Sequence, residues 1–511
     1  MNYLVSWYSK GFWIATFALV LWHALKDKGG WAKLAQLGLV IGITIYAISF
    51  SFIQVTAESK LIILVKDLLL LGITSLLFQL LGKYKSIYWL SVILLYAFSK
   101  LFLGEWQRAQ VYNHQAVINT ENEWELLVSL DDKSSYPILK SFVESHDLMV
   151  QPAFFMNEAE HTTLDNYYSI EIPEDQEKNI IDIKAQLSSL KCISWLENNE
   201  KIQVEPDIPA HDINRVFKPL VNDPYASKQW AADALGWNEI YKLYKSGILK
   251  VRKKSKIFIL DTGIDGNHED LKDQYVSIDA KNDTDDKGHG THVAGIAAAI
   301  SNNGKGISSV IPSNEFVSIT SIKVLGFYGA GTQRDIINGM LKATDNGATV
   351  INLSLGGLSL DSRQKAYSEA VEYANLKGCI VVVAAGNDNA DARHYAPANA
   401  DGVITVSAID TNFNKSSFSN SVEFIKNKIA APGTDIFSTI PNNQYASFNG
   451  TSMAAPYVTG LVALLKSIKP ELTTDQVYQI LSETGSLSKT PDKTGRIINA
   501  EKAVSAVISS L

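Results

Sequence analysis

Five short apolar runs constrain the fold of this 511-residue chain more than any other feature. They are KIFIL, VSITSIKVL, ATVINLSLG, CIVVVAAG and VITVSA, all lying beyond residue 255, and each is followed by a polar turn or a helical pattern. Strands that are apolar nearly throughout are buried on both faces, and the helices between them are the elements that can cover those faces. The pattern predicts a mainly parallel sheet between two helical layers, a three-layer α/β domain. On such sheets chemistry gathers beyond the carboxyl ends of the strands.

Three stretches hold that position. IFILDTGID ends a strand on Asp261, DKGHGTHVAG starts a helix at His289, and NGTSMAAPYVTG starts another at Ser452. A serine hydroxyl is a weak nucleophile at neutral pH unless an imidazole takes its proton, and the imidazole needs a carboxylate to fix its tautomer and stabilise its charged form. A helix N-terminus favours negative charge developing at Ser452, and Gly450, Ala454 and Ala455 leave room for a substrate backbone. Asp261 in DTG also fits an aspartic peptidase, but that chemistry needs two carboxylates and no second DTG or DSG occurs. His292, three residues after His289, serves by spacing alone as an alternative base or, with His268, as a metal ligand.

DTGID, GHGTHVAG and NGTSMAAP, in that order, resemble the subtilisin-like serine peptidases over roughly residues 222–505. The resemblance implies a subtilisin-like catalytic domain with Asp261 as orienting carboxylate, His289 as general base and Ser452 as nucleophile, and leaves His292 to packing. It implies that Asn387, in AAGNDN, supplies the side-chain amide of an oxyanion hole, and that SLGG (354–357) and the GAG at 329–331 flank an extended substrate. No cofactor is required for the chemistry. A structural calcium ion is a further implication, with Gln229, Asp270 and Asn303 at the matching positions. Lys305 replaces the apolar residue usual there, and ordinary turn residues are the alternative reading.

The first hundred residues are of another kind. Residues 35–55 are uncharged for 21 positions, enough to span a bilayer as a helix at about 1.5 Å per residue. Weaker candidates at 8–25, 61–82 and 87–104 make a four-helix transmembrane domain, unlike the single apolar core of a cleavable signal peptide. Lys26, Lys28, Lys33, Lys83 and Lys85 fall on one side, against Lys10, Lys60, Arg108 and Lys100 on the other, which places both termini outside the cytoplasm. Lys66 and Asp67 are expected close to the interface, and Gly38 and Gly42 form a GxxxG for close helix approach.

Between these regions, YYSIEIP (167–173), the helical stretch 177–190 and NEKIQVEP (199–206) form a small strand, helix, strand unit that resembles a subtilase propeptide. The expected organisation is a transmembrane domain over 1–105, a linker and propeptide-like α+β unit over 106–215, and a peptidase domain over 216–511. Self-cleavage is expected within 206–222. A formal charge of −7 without a basic block excludes nucleic acid as a partner, leaving a polypeptide substrate and the lipid bilayer. Cys192 and Cys379 read as buried thiols. The function expected is a multi-pass, membrane-anchored serine endopeptidase working outside the cytoplasm through an acyl-enzyme. The alternative is a catalytically silent membrane adaptor that uses the fold for binding.

Overall fold

The computed structural model describes residues 2–25, 30–51, 57–81, 126–159, 162–173, 179–204, 218–326, 329–359 and 365–511, together with residues 91 and 176. Contacts divide the chain into two units, Met1–Asn122 and Glu123–Leu511.

In the first unit, helices α1 (Asn2–Leu25), α2 (Gly30–Ser51) and α3 (Ala57–Leu81) follow the three apolar segments. The GxxxG finds its partner inside the chain. A Cβ on Gly42 would lie 2.4 Å from the Ala15 backbone nitrogen, and one on Gly38 would lie 3.3 Å from the Ala18 Cβ, so the two glycines let α2 press onto α1. Polar groups pair between helices: the Tyr46 hydroxyl donates to Asp67 Oδ2 at 3.0 Å, and His23 Nε2 meets Ser75 Oγ at 2.9 Å. Asp67 is enclosed, with Tyr46 supplying it with a donor. Among the described residues one helix, over Gly30–Ala47, is long and apolar enough to cross a membrane, with shorter apolar stretches at Phe12–Leu25 and Asp67–Gln79. The expected fourth segment, 87–104, lies outside the described residues apart from residue 91.

The second unit begins with a four-stranded antiparallel sheet made of β1 (Leu126–Leu130), β2 (Met149–Pro152), β3 (Tyr167–Glu171) and β4 (Ile193–Asn198) in the order β2-β3-β1-β4. Helices α4 (Tyr136–Ser145) and α5 (Ile180–Ser189) contribute Leu139, Val143, Ile183 and Leu187 to its core against Leu126, Val128 and Ile170. The sequence signalled β3, α5 and the short strand β5 (Lys201–Gln203), but not β1, α4, β2 or β4, so this unit is larger than strand, helix, strand.

Seven parallel-paired strands form the main sheet. They are β6 (Ser255–Asp261), β7 (Val317–Lys323), β9 (Val350–Leu353), β10 (Ile380–Ala384), β11 (Ile404–Ile409), β12 (Lys428–Pro432) and β15 (Arg496–Ile497), in the order β15-β12-β11-β10-β9-β6-β7. Outside it lie β8 (Ala330–Thr332) and the hairpin of β13 (Ile436–Ile440) with β14 (Gln444–Phe448). The period-two side-chain alternation explains the apolar runs. Ile257 and Ile259 pack into one core with α6 (His289–Ala298) and α9 (Thr451–Ile468), whereas Phe258 and Leu260 enter the other with α7 (Gln333–Asp345) and α8 (Lys365–Leu376). This is the three-layer α/β architecture expected. Strands β12 and β15 escaped the sequence reading because KIAAP is short and small, and β15 has only two residues.

The antiparallel sheet docks on the starts of α7 and α8. Glu197, 1% exposed, accepts from the backbone N–H groups of Lys365 and Ala366, from Gln333 Nε2 and from Trp195 Nε1, at 2.7–3.3 Å. Burial pushes its carboxyl up to about 7 against these donors. Asn199 Oδ1 accepts from the Arg334 N–H at 3.1 Å, and the Glu200 carbonyl from the Gln333 N–H at 2.8 Å. Two orphan amides at the start of each helix are thereby satisfied from outside the α/β domain.

Gly42→Leu is expected to destabilise the N-terminal helical unit by about 1–3 kcal/mol, because its side chain would displace α1. Limited proteolysis should then cut within residues 2–81 faster than in wild type, whereas Gly72→Ala, whose Cβ meets nothing within 4 Å, should not accelerate it.

Candidate functional site

Asp261 is the last residue of β6, His289 the first of α6, and Ser452 the second of α9, and α6 and α9 pack on each other over one face of the sheet. Asp261, fully buried, takes His289 Nδ1 on Oδ1 at 2.8 Å, and the Thr262 N–H donates to the same oxygen at 2.7 Å. An imidazole held at Nδ1 by a carboxylate keeps Nε2 for accepting a proton.

A residue the sequence reading missed fixes that pair. Asp285, at the turn before α6, accepts from Thr262 Oγ1, Lys287 N–H and Gly288 N–H with Oδ1, and from the Thr291 N–H and Oγ1 with Oδ2, at 2.7–3.0 Å. Thr262 Oγ1 in turn accepts the Gly290 N–H at 3.0 Å. One buried carboxylate thus joins the end of the Asp261 strand to the first turn of the His289 helix. Gly290 is required at the junction, since a Cβ there would lie 2.1 Å from the Gly263 carbonyl oxygen. The signal available was an acidic residue just before a helix start, the ordinary N-terminal preference.

Ser452 is placed by a break in its own helix. Pro456 has no N–H to give the carbonyl four residues earlier, which leaves the Ser452 carbonyl to accept Ser354 Oγ at 2.8 Å. The Ser452 hydroxyl donates to the Ser354 carbonyl at 3.0 Å. Asn352 Nδ2 donates to Ser354 Oγ, and Thr459 Oγ1 to Asn352 Oδ1, so Asn352 and Ser354, in and just after β9, are linked to each other and make three hydrogen bonds to α9. Asn387, beyond β10, accepts Thr451 N–H and Oγ1 with Oδ1 at 2.8 and 2.9 Å. That orientation turns its amide Nδ2 toward Gly450, whose hypothetical Cβ would lie 3.2 Å from it and whose φ of +155° suits glycine.

The two other histidines considered from the sequence, His292 and His268, point elsewhere. His292 is buried, its Nε2 meets the Ala446 carbonyl at 3.0 Å, and its ring stacks on Phe448 with centroids 4.2 Å apart. Burial pushes its imidazole down to about 3, so it is neutral. His268 Nδ1 accepts the Asp270 N–H, and among the described residues no three of His, Cys, Asp and Glu gather as metal ligands.

Of the residues matched to a calcium loop, Asp270 and Asn303 meet: Asn303 Nδ2 donates to Asp270 Oδ1 at 2.8 Å. Gln229 is turned away, with its amide closing on Ser308 through Nε2 and Oε1. Asp223, not singled out in the sequence, takes part instead, accepting the N–H groups of Asn302, Asn303 and Gly304.

The stretches 329–331 and 354–357 do hold an extended segment, and it is the chain's own β5. Ile202, fully buried, pairs with Gly331, the Val204 N–H donates to the Gly329 carbonyl at 2.8 Å, and Gln203 faces Gly356 across bonds of 3.4 and 3.5 Å.

Asp285→Ala is expected to lower stability by about 3 kcal/mol, because buried hydroxyl and amide donors lose their acceptor. Asp285→Asn, which keeps one carbonyl oxygen, should lose less, as read from denaturant midpoints at unchanged slope.

The chain is similar to known proteins. Residues 252–500 match the Subtilase family. Subtilisin DY of Bacillus licheniformis is 44% identical over 238 residues, 45% of this chain and 83% of that protein. Thermitase of Thermoactinomyces vulgaris is 41% identical over 252 residues, covering 48% and 85%, and a thermophilic serine proteinase of a Bacillus strain is 38% identical over 323 residues, covering 60% and 76%. Among solved structures, a protease from Pseudoalteromonas arctica superposes with a TM-score of 0.50 at 29% identity, over 56% of this chain and 99% of that one. The chain belongs to the subtilase family and is a serine endopeptidase.

Proposed function

We propose that Asp261, His289 and Ser452 are the catalytic triad and that Asn387 completes an oxyanion hole with the Ser452 N–H. The buried 2.8 Å contact between Asp261 and His289 Nδ1 carries this reading. His289 takes the serine proton once the hydroxyl leaves the Ser354 carbonyl, Ser452 Oγ attacks the scissile carbonyl, and the oxyanion is met by donors already in place. The acyl-enzyme forms as His289 returns the proton to the leaving amine, and water then reverses the sequence.

We further propose a membrane-anchored enzyme acting outside the cytoplasm, with residues 126–204 as an inhibitor in cis. The apolar span over Gly30–Ala47 and the exposed Leu34, Leu37, Ile41, Leu69, Ile73 and Leu76 favour a lipid environment, and the lysine distribution favours an extracytoplasmic peptidase.

The loop joining Asp223, Asp270 and Asn303 fits a structural calcium ion. Both carboxylates are buried, among the described residues neither is paired with a cation, and burial together with the Asp223 charge pushes the Asp270 carboxyl up to about 6. A hard cation relieves such a pair, and these side chains would hold it.

Ser452→Ala and His289→Ala are each expected to abolish peptide hydrolysis and fluorophosphonate labelling while the unfolding midpoint stays near wild type. Asn387→Ala should slow turnover by roughly a hundred- to thousandfold, a magnitude established for subtilisin and carried over here. Equal turnover by Asn387→Ala would remove the oxyanion assignment.

Chelation of calcium is expected to destabilise wild type by about 3 kcal/mol relative to calcium at a hundred times its dissociation constant, seen as a lower melting temperature. Asp223→Asn should lose that response. A melting temperature indifferent to chelator would remove the ion from this loop.

A further inference from the structure

The loop that carries Asn387 is shaped by a distant part of the chain. The segment 418–421, between β11 and β12, runs alongside residues 386–392. The Asn389 N–H donates to the Phe418 carbonyl at 2.6 Å, the Asn420 N–H to the Gly386 carbonyl at 2.8 Å, and the Ser421 N–H to the Ala390 carbonyl at 2.7 Å. One side chain then closes the loop. Asn420, fully buried, donates through Nδ2 to the Ala385 carbonyl at 2.9 Å, and its Oδ1 accepts the N–H groups of Asp388 at 3.1 Å and Ala390 at 2.8 Å. Its contacts therefore fall on both sides of Asn387. Gly386, at φ +101°, admits this close approach, since a Cβ there would overlap Asn420 Nδ2.

We infer that Asn420 is the positioning residue of the oxyanion hole, a role that rests on the peptidase reading above. It fixes the backbone on either side of Asn387 and so sets where the Asn387 amide stands against the scissile carbonyl. Thr451 turns that amide by claiming Oδ1, whereas Asn420 holds the loop from which the side chain extends. A donor serves the oxyanion only within about 2.7–3.1 Å of it. Without the Asn420 amide, two N–H groups and one carbonyl are left buried and unpaired, and the loop must shift to meet other partners. Misplacing a catalytic group by about 1 Å costs roughly a hundredfold in rate. The oxyanion contact is made mainly in the transition state, and an extended substrate lies along 329–331 and 354–357, so the loss belongs to kcat and not to KM.

The test is peptide hydrolysis by the full chain as wild type, Asn420→Ala, Asn387→Ala and the double variant, with kcat and KM separated. Asn420→Ala should lower kcat roughly a hundredfold with KM within about twofold of wild type. In the Asn387→Ala background it should change kcat by less than about twofold, because both residues act through one amide. Asn427→Ala is the control. Asn427 is also buried, but its Nδ2 holds the Val403 carbonyl where β11 and β12 begin, at the far end of the sheet, so its loss should lower the melting temperature and leave kcat unchanged. If Asn420→Ala does not fold, Asn420→Ser, whose one hydroxyl replaces the two polar atoms of the amide, serves in the same comparison. An unchanged kcat at position 420 would overturn the inference, as would a roughly hundredfold loss that persists in the Asn387→Ala background. A wild-type chain that neither cuts peptide nor takes a fluorophosphonate would overturn the peptidase reading itself, and the inference with it.

Discussion

The burial of both faces of one parallel sheet is the constraint from which the functional geometry follows. The strand interiors are mainly apolar on both sides, with Asn352, Thr405 and Ser407 buried among them, and each fully buried Val, Ile or Leu side chain contributes roughly 1.5–3 kcal/mol. Asp261 closes β6, Ser354 follows β9 and Asn387 lies beyond β10, so three neighbouring strands put these polar residues along one rim. The helices that begin at His289 and Thr451 cover one face and bring their N-termini to the same rim.

Buried carboxylates then hold the parts in register. Asp285 joins a strand end to a helix start, and Glu197 joins the antiparallel sheet to α8, each through several N–H or O–H donors. Such groups are expensive when left without donors, so each fixes every segment that supplies one. The turned amide of Asn387 belongs to the same pattern: Thr451 claims its oxygen and so decides which way its nitrogen faces.

The sequence revealed the parts whose cause is local. The strands with long apolar runs, the helix starts and the residues Asp261, His289, Ser452 and Asn387 all sit in short stretches whose chemistry is self-explanatory. What it concealed depends on partners far along the chain. Asp285 looked like another acidic turn residue, because its meaning lies in Thr262 and Thr291. Gln229 was matched to a calcium loop by position, yet its amide is satisfied by Ser308, and Asp223 takes the place beside Asn303. The strand β1 is five residues buried throughout, without an alternating pattern, and the two-residue β15 is shorter than any pattern can register.

The tethering of β5 to the domain it occupies changes what competition means at this cleft. A free inhibitor yields when its concentration falls below its dissociation constant, but a segment joined to its site by a short linker faces it at an effective concentration on the order of millimolar, whatever the dilution. Occupancy by β5 therefore does not respond to expression level or to volume. A substrate gains entry by exceeding that local concentration in affinity-weighted terms, or after the tether has been severed, which turns a tethered ligand into one that can diffuse away.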